Sequence, residues 1–228
     1  MRILLVNPNR ITACTDLLAA QAGRTADPGT EVTAVSPRSG PVELSGRREV
    51  LLSAAGVLDT IERLGGGADA IVLAGFGEPG QEAARELVGV PVLDITECGP
   101  VAAMLLGREY AVVTSTQAAV PIVEERLREL RLDGRCRTVR AAGPGVPGLV
   151  GGAAVRARAV EAVASAADGA PGEVIVLGCA AMTGLAHEVA ATIDRPVVDP
   201  VAAAVRMAEA LWRMDAGGAA SATEGPAR

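Results

Sequence analysis

The chain repeats itself, and the repeat fixes what it can fold into. Ala70-Ile71-Val72-Leu73-Ala74-Gly75-Phe76-Gly77-Glu78-Pro79-Gly80 returns as Val174-Ile175-Val176-Leu177-Gly178-Cys179-Ala180-Ala181-Met182-Thr183-Gly184. Ile71-Val72-Leu73 falls on Ile175-Val176-Leu177, Gly75 on Cys179 and Gly80 on Gly184. Downstream, Val90-Pro91-Val92-Leu93-Asp94 matches Arg195-Pro196-Val197-Val198-Asp199. Upstream, Ile3-Leu4-Leu5-Val6-Asn7-Pro8 has a looser counterpart in Tyr110-Ala111-Val112-Val113-Thr114-Ser115. Internal similarity over half a chain implies two like units. Short apolar runs bounded by turn signals read as strands buried on both faces, and helical patterns alternate with them, so the sheets are parallel. The expected fold is α/β: two pseudo-symmetric lobes, each a parallel sheet flanked by helices, with a site in the cleft between them. Ligands in such sheets lie at the carboxyl ends of the strands. One wall of this cleft then carries a cysteine and the other a glycine.

In order, strands are expected at 2–6, 31–35, 71–74, 90–94, 110–114, 137–141, 174–178 and 197–198. Helices are expected at 11–22 (with Thr12 or Thr15 near its start), 48–64, from 81, 99–106, 119–130, 153–167, 185–193 and 200–214. The turn-rich segments 36–46 and 142–148 occupy equivalent places and read as loops, the first closing over a site. Residues 1–95 form the first lobe, completed by the helix at 200–214, and residues 96–199 form the second. The Ala-, Gly- and Ser-rich stretch 215–228 reads as a disordered tail.

The core must be aliphatic, because the 228 residues include only one Trp, one Tyr and one Phe. A net charge of −6 without a basic run argues against nucleic acid as a partner. No apolar stretch approaches membrane-spanning length, and Ile3–Val6 is too short for a signal peptide. Cytoplasmic localisation, a small-molecule partner and homo-oligomeric assembly are expected. Cys14, Cys98, Cys136 and Cys179 form no C-x-x-C pair and His187 is the sole histidine, so no metal site is expected and the thiols should be reduced.

Cys179 stands where a strand hands over to small residues opening a helix-like segment. Free backbone N–H groups there lower a thiol's pKa and favour the thiolate, a competent base. The other reading is a buried small hydrophobe, a common fate of free cysteine.

At these residues the chain resembles the aspartate/glutamate racemase superfamily, in particular its hydantoin racemase-like branch. The resemblance rests on Val6-Asn7-Pro8-Asn9, Thr33-Ala34-Val35-Ser36-Pro37-Arg38-Ser39-Gly40, Ala74-Gly75-Phe76-Gly77-Glu78-Pro79-Gly80, Leu106-Gly107-Arg108 before Val112-Val113-Thr114, and Leu177-Gly178-Cys179-Ala180-Ala181-Met182. It implies two lobes, no cofactor, and two cysteines on opposite walls that exchange a proton at a carbon α to a carbonyl. Gly75 stands where the family usually has the first of these cysteines, and Glu78 where it has an aspartate. A glycine facing a single thiol also resembles the arylmalonate decarboxylases, in which loss of carbon dioxide makes the carbanion and the thiol protonates one face.

Cys179 is therefore the expected catalytic residue. Asn7, Asn9, Arg10, Gly75, Phe76, Thr114, Ser115, Thr116, Gly178 and Ala180 are the expected substrate-binding residues. Arg10, one residue past a strand-end loop, could pair bidentately with a substrate carboxylate. Thr114, Ser115 and Thr116, with the N–H groups after Gly75 and Cys179, are candidate donors to an enolate oxygen. Asn7 and Asn9 equally suit ordinary turn chemistry. Glu78 reads as a base or, more simply, a helix cap. Arg48 and His187 read as surface residues, Cys98 and Cys14 as packing residues, and Cys136 as part of an exposed loop. Three functions follow: an isomerase at an acidic C–H of a hydantoin- or amino-acid-like substrate, a one-cysteine decarboxylase, or a non-catalytic binder.

Overall fold

The computed structural model describes residues 1–77 and 80–222, with 215–222 described as backbone only. Its first sheet is built from β1 (Arg2–Val6), β2 (Glu31–Val35), β3 (Ala70–Leu73) and β4 (Val92–Asp94), in the order β2-β1-β3-β4. Its second is built from β5 (Tyr110–Thr114), β6 (Cys136–Ala141), β7 (Val174–Gly178) and β8 (Val197–Val198), in the order β6-β5-β7-β8. Every pairing is parallel, and the two orders are the same, as the sequence repeat requires. Helices α1 (Thr12–Thr25), α2 (Arg47–Leu64) and α3 (Gln81–Leu87) connect the first set of strands. Helices α5 (Val120–Glu129), α6 (Val146–Leu149), α7 (Ala153–Asp168) and α8 (Ala186–Ile193) connect the second, while α4 (Ile95–Leu106) and α9 (Pro200–Ala222) follow β4 and β8.

The strands alternate between two cores, as period-two side chains must. Ile3 and Leu5 of β1, Val72 of β3, Ala111 and Val113 of β5, and Ile175 and Leu177 of β7 face one shared cluster that also takes in Leu18 of α1, Val163 of α7 and Val205 of α9. The opposite faces bury Leu4, Val6, Ile71 and Leu73 under α2 in one lobe. In the other they bury Tyr110, Val112, Val174 and Val176 under α5. The two lobes thus share a central core, and α9 packs on α1, α4 and β3. Truncating a central leucine such as Leu5 costs about 2–5 kcal/mol. The crossing of α4, α9 and β7 depends on Gly99: a Cβ there would lie 2.9 Å from both Pro200 Cβ and Val176 Cγ1.

Register decides what the strand ends present. Val6 pairs with Leu73 and Leu73 with Asp94, so Asn7, Ala74-Gly75 and Ile95 emerge together. Thr114 pairs with Gly178, which sets Ser115 beside Cys179.

Several expectations need correction. The segment 142–148 is not all loop, because Val146-Pro147 opens a helical turn, with proline at a position where a missing N–H costs nothing. Cys136 is half-buried at the start of β6 rather than in an exposed loop. Neither Thr12 nor Thr15 caps α1; Asn9 Oδ1 takes the Ile11 N–H at 2.9 Å instead. Helical backbone runs on past 214 to Ala222 through alanine-rich sequence; 223–228 and Glu78 lie outside the described residues. Among the described residues no helix is long and apolar enough to cross a membrane.

Candidate active site

The carboxyl ends of both sheets meet at a cavity of about 80 Å3. The first lobe supplies Pro8 and Asn9 after β1, Ala74, Gly75 and Phe76 after β3, Leu44 and Ser45 from the 36–46 loop, and Val50 of α2. The second supplies Thr114 and Ser115, Gly178, Cys179, Ala180 and Ala181, with Ile122 of α5 and Val146 of α6. Cys179 thus lines the same cavity as Gly75. Among the described residues, none of those lining it carries a charged side chain.

Cys179 itself is extended (φ −156°, ψ 132°), and a 3₁₀ turn over Ala180–Met182 follows it. Burial raises its thiol pKa; the Ala181 N–H and then the Ser115 hydroxyl pull against that, Glu43 adds to it, and the Met182 N–H opposes it. The sequence expectation of a lowered pKa is therefore corrected in direction. The N–H groups are present as expected, but desolvation of the anion outweighs them. Gly178 has to be glycine for reasons of space, since a Cβ would sit 2.5 Å from Val112 Cγ1.

The Asn-Pro-Asn turn after β1 is a hydrogen-bonded unit. Asn7 is fully buried beneath the cavity and does not line it. Its Nδ2 donates to Asn9 Oδ1 at 3.1 Å and to Thr15 Oγ1 at 2.9 Å, and its Oδ1 accepts the Asn9 N–H at 3.3 Å. The Thr15 hydroxyl lies 2.6 Å from Ser36 Oγ, tying the turn to the start of the 36–46 loop. Asn9 reaches the cavity wall, and its Nδ2 also contacts Cys14 Sγ at 3.7 Å. Burial pushes the Cys14 thiol up to about 11, against hydrogen bonds from Asn9 and Asn7, with nearby Cys179 raising it further. Cys14 is fully buried, as packing predicts.

Three of the expected substrate-binding residues have hydrogen-bond partners within the protein. Arg10 turns away from the cavity: its Nη1 donates to Gly40 O at 3.3 Å and its N–H to Val42 O at 3.1 Å, so it braces the 36–46 loop from outside. Thr116 lies outside the lining, where its carbonyl accepts the Ala119 N–H of the turn into α5. Thr114 lines the cavity, but its hydroxyl proton goes to Gly178 O at 2.8 Å, leaving it an acceptor rather than a donor. Of the N–H groups after Gly75, that of Gly77 is taken by Thr96 Oγ1 at 2.9 Å. Phe76, Gly178 and Ala180 line the wall. His187 and Arg48 are exposed. Sequence reasoning missed Pro8, Ala74 and Ala181, which adjoin expected residues, and also Leu44, Ser45, Val50, Ala119, Ile122 and Val146; the turn-rich 36–46 segment signalled Leu44 and Ser45, and nothing local signalled Ile122.

Two lobes of one strand order, meeting at a cavity lined by one cysteine at the strand ends, define a two-lobed α/β protein. The chain belongs to the Asp/Glu/hydantoin racemase family, whose pattern matches residues 3–208. It is 36% identical to a hydantoin racemase of Rhizobium meliloti over 216 residues, covering 92% of this chain and 88% of that one. Its structure resembles allantoin racemase from Pseudomonas fluorescens with a TM-score of 0.90 at 40% identity, covering 94% and 92% of the two chains. An unliganded arylmalonate decarboxylase shares the fold, with a TM-score of 0.59 at 22% identity and 92% of each chain covered.

Proposed function

We propose that the protein interconverts the enantiomers of a hydantoin-type ring by moving the proton on the carbon α to its carbonyl, with Cys179 as acid and base on one face. The observation that carries this reading is a cavity whose described lining residues set one thiol among uncharged hydrogen-bonding groups. Asn9, Ser45 and Ser115 and the strand-end backbone suit a neutral ring of amide and imide groups. A free amino acid or a malonate would bring carboxylates to a wall with no cation among the described residues, and Arg10 points elsewhere. The hydantoin and allantoin racemases among its relatives support the same substrate class.

The thiol begins protonated, because burial raises its pKa. It delivers its proton to one face of the enolate; the thiolate left behind, held by Ser115 and the Ala181 N–H, can remove a proton from that face in the reverse direction. Gly75 offers no proton on the other wall, so exchange there falls to water or to a group outside those lining residues. That asymmetry is also what favours a second reading, decarboxylation with one-sided protonation by Cys179.

The test is an enantiopure alkyl-substituted hydantoin, followed by circular dichroism, beside an arylmalonate followed by carbon dioxide release. Loss of the hydantoin's dichroism is the expected result. Carbon dioxide release without racemisation would replace the first reading by the second, and neither activity in a protein that binds the ring would contradict both.

A further inference from the structure

The first-lobe wall of the cavity is held from the second lobe. Gly77 turns with φ +86°, and a Cβ built on it would lie 3.2 Å from Ile122 Cγ2 and 3.5 Å from Val123 Cγ2, both on α5. One turn further along α5, Arg126 is buried at 6% exposure and reaches across to the first lobe. Its Nη2 donates to Gln81 Oε1 and Glu82 Oε1, each at 3.1 Å, and stands 3.7 Å from Asp94 Oδ2; its Nη1 donates to Glu129 Oε2 at 3.1 Å. Asp94 Oδ1 accepts the Thr96 N–H at 2.7 Å. The Thr96 hydroxyl donates to Gly75 O at 3.2 Å and accepts the Gly77 N–H at 2.9 Å. A run of polar contacts therefore leads from α5 to the backbone of Gly75–Gly77. Arg47 of α2 and Glu125 of α5 add an ion pair across the same junction.

The equivalent turn of the other lobe needs no such help. Asp199 accepts from Thr183 Oγ1 at 2.7 and 2.8 Å, from Gly184 N at 2.6 Å and from Val201 N at 3.0 Å, all within its own strand-end region. Asp94 has one such bond and a cation borrowed from α5. Among the described residues, Asp94 Oδ2 and Arg126 Nε have no hydrogen-bond partner. Burying a guanidinium against a carboxyl group is a poor source of net stability, because desolvation cancels much of the attraction. A geometric role accounts better for its presence behind the cavity.

We propose that Arg126 is a positioning residue, which clamps the Gly75–Gly77 turn through Asp94 and Thr96 and so fixes the wall that shares the cavity with Cys179. Its bearing on turnover rests on the racemase reading above; its bearing on the turn does not. Burial pushes the Asp94 carboxyl up to about 7, against the Thr96 hydrogen bonds and then Arg126.

The deciding experiment is amide hydrogen exchange of Gly77, referred to Leu5 in β1, in the full chain. Arg126→Met should speed Gly77 exchange about tenfold or more while Leu5 changes little, the size expected for a lost charge-assisted contact. Arg126→Lys, which keeps a cation, should recover part of that protection. Thr96→Val cuts the last link with Arg126 in place, and should speed Gly77 to a similar degree even if Arg126→Met does not fold. Equal changes at Gly77 and Leu5, or none at Gly77, would overturn the clamp. On a hydantoin that the wild type racemises, Arg126→Met should lower kcat more than it changes KM; an unaltered kcat beside accelerated Gly77 exchange would overturn the link to catalysis. A wild type that racemises no hydantoin would fail the functional reading alone, with the exchange result still deciding the clamp.

Discussion

The turns after β3 and β7 share one repeated sequence pattern and are held in different ways. The β7 turn carries the cavity cysteine and is self-contained: Cys179 lines the cavity while Asp199 and Thr183 tie the turn to the start of α9. The β3 turn carries no titratable group among its described residues and leans on the other lobe through Arg126, Ile122 and Val123. The contrast is between a turn that holds the cavity thiol and is tied within its own lobe, and a turn whose polar contacts run to the other lobe.

The largest test of that contrast removes the thiol. Cys179→Ala should reduce turnover on a hydantoin substrate by about 10³-fold, the scale of a lost general acid–base group, with an unchanged melting temperature. Steady-state rates with thermal melts check this, and comparable residual activity would sink the assignment. Next, Asp199→Ala should cost about 3 kcal/mol of stability in denaturant titrations, because several buried donors lose a charged acceptor. Asp94→Asn should cost clearly less, since Asp94 makes fewer bonds; equal losses would erase the contrast between the turns. Gly178→Ala should cost about 2 kcal/mol by overpacking against Val112 and should also displace Cys179. Gly75→Cys, which gives the first-lobe wall a thiol, should raise racemisation about tenfold if a second acid–base group is what that wall lacks. A folded Gly75→Cys protein with no gain would break the pairing of the two positions.

The smallest effect is a pH slope. The folded state holds the Asp94 proton up to about pH 7, whereas the ordinary value is 3.8. The folded state thus binds more protons than the unfolded chain between those limits, so this group's contribution to stability falls as pH rises through the window. Asp94→Asn should flatten that part of the stability curve, and a slope identical to wild type would show that Asp94 does not titrate there.

Much of this was legible beforehand because it is written locally. The repeat announced two sheets of one order, and the apolar runs ending in Gly75 and Cys179 marked the strand ends that form the cavity. What escaped depends on long-range contact or on competing terms. Nothing in Val120–Glu129 beyond a helical pattern shows that Ile122 and Arg126 will cross to the other lobe. The hydroxyl of Thr114 looked like a free donor, yet register brings Gly178 O within reach of its proton. Arg10 follows a strand-end turn, but the 36–46 loop offers it carbonyls away from the cavity. The pKa of Cys179 runs opposite to the sequence expectation because local N–H groups are visible in sequence and burial is not.

The most direct measurement is deuterium incorporation at the stereocentre of an alkyl-substituted hydantoin in heavy water, followed by proton NMR for wild type and Cys179→Ala. A proton relayed by the cavity sulfur predicts enzyme-dependent exchange in the wild type and only the spontaneous rate in the variant. Exchange that proceeds equally in both proteins, or in neither, would contradict the assignment of Cys179.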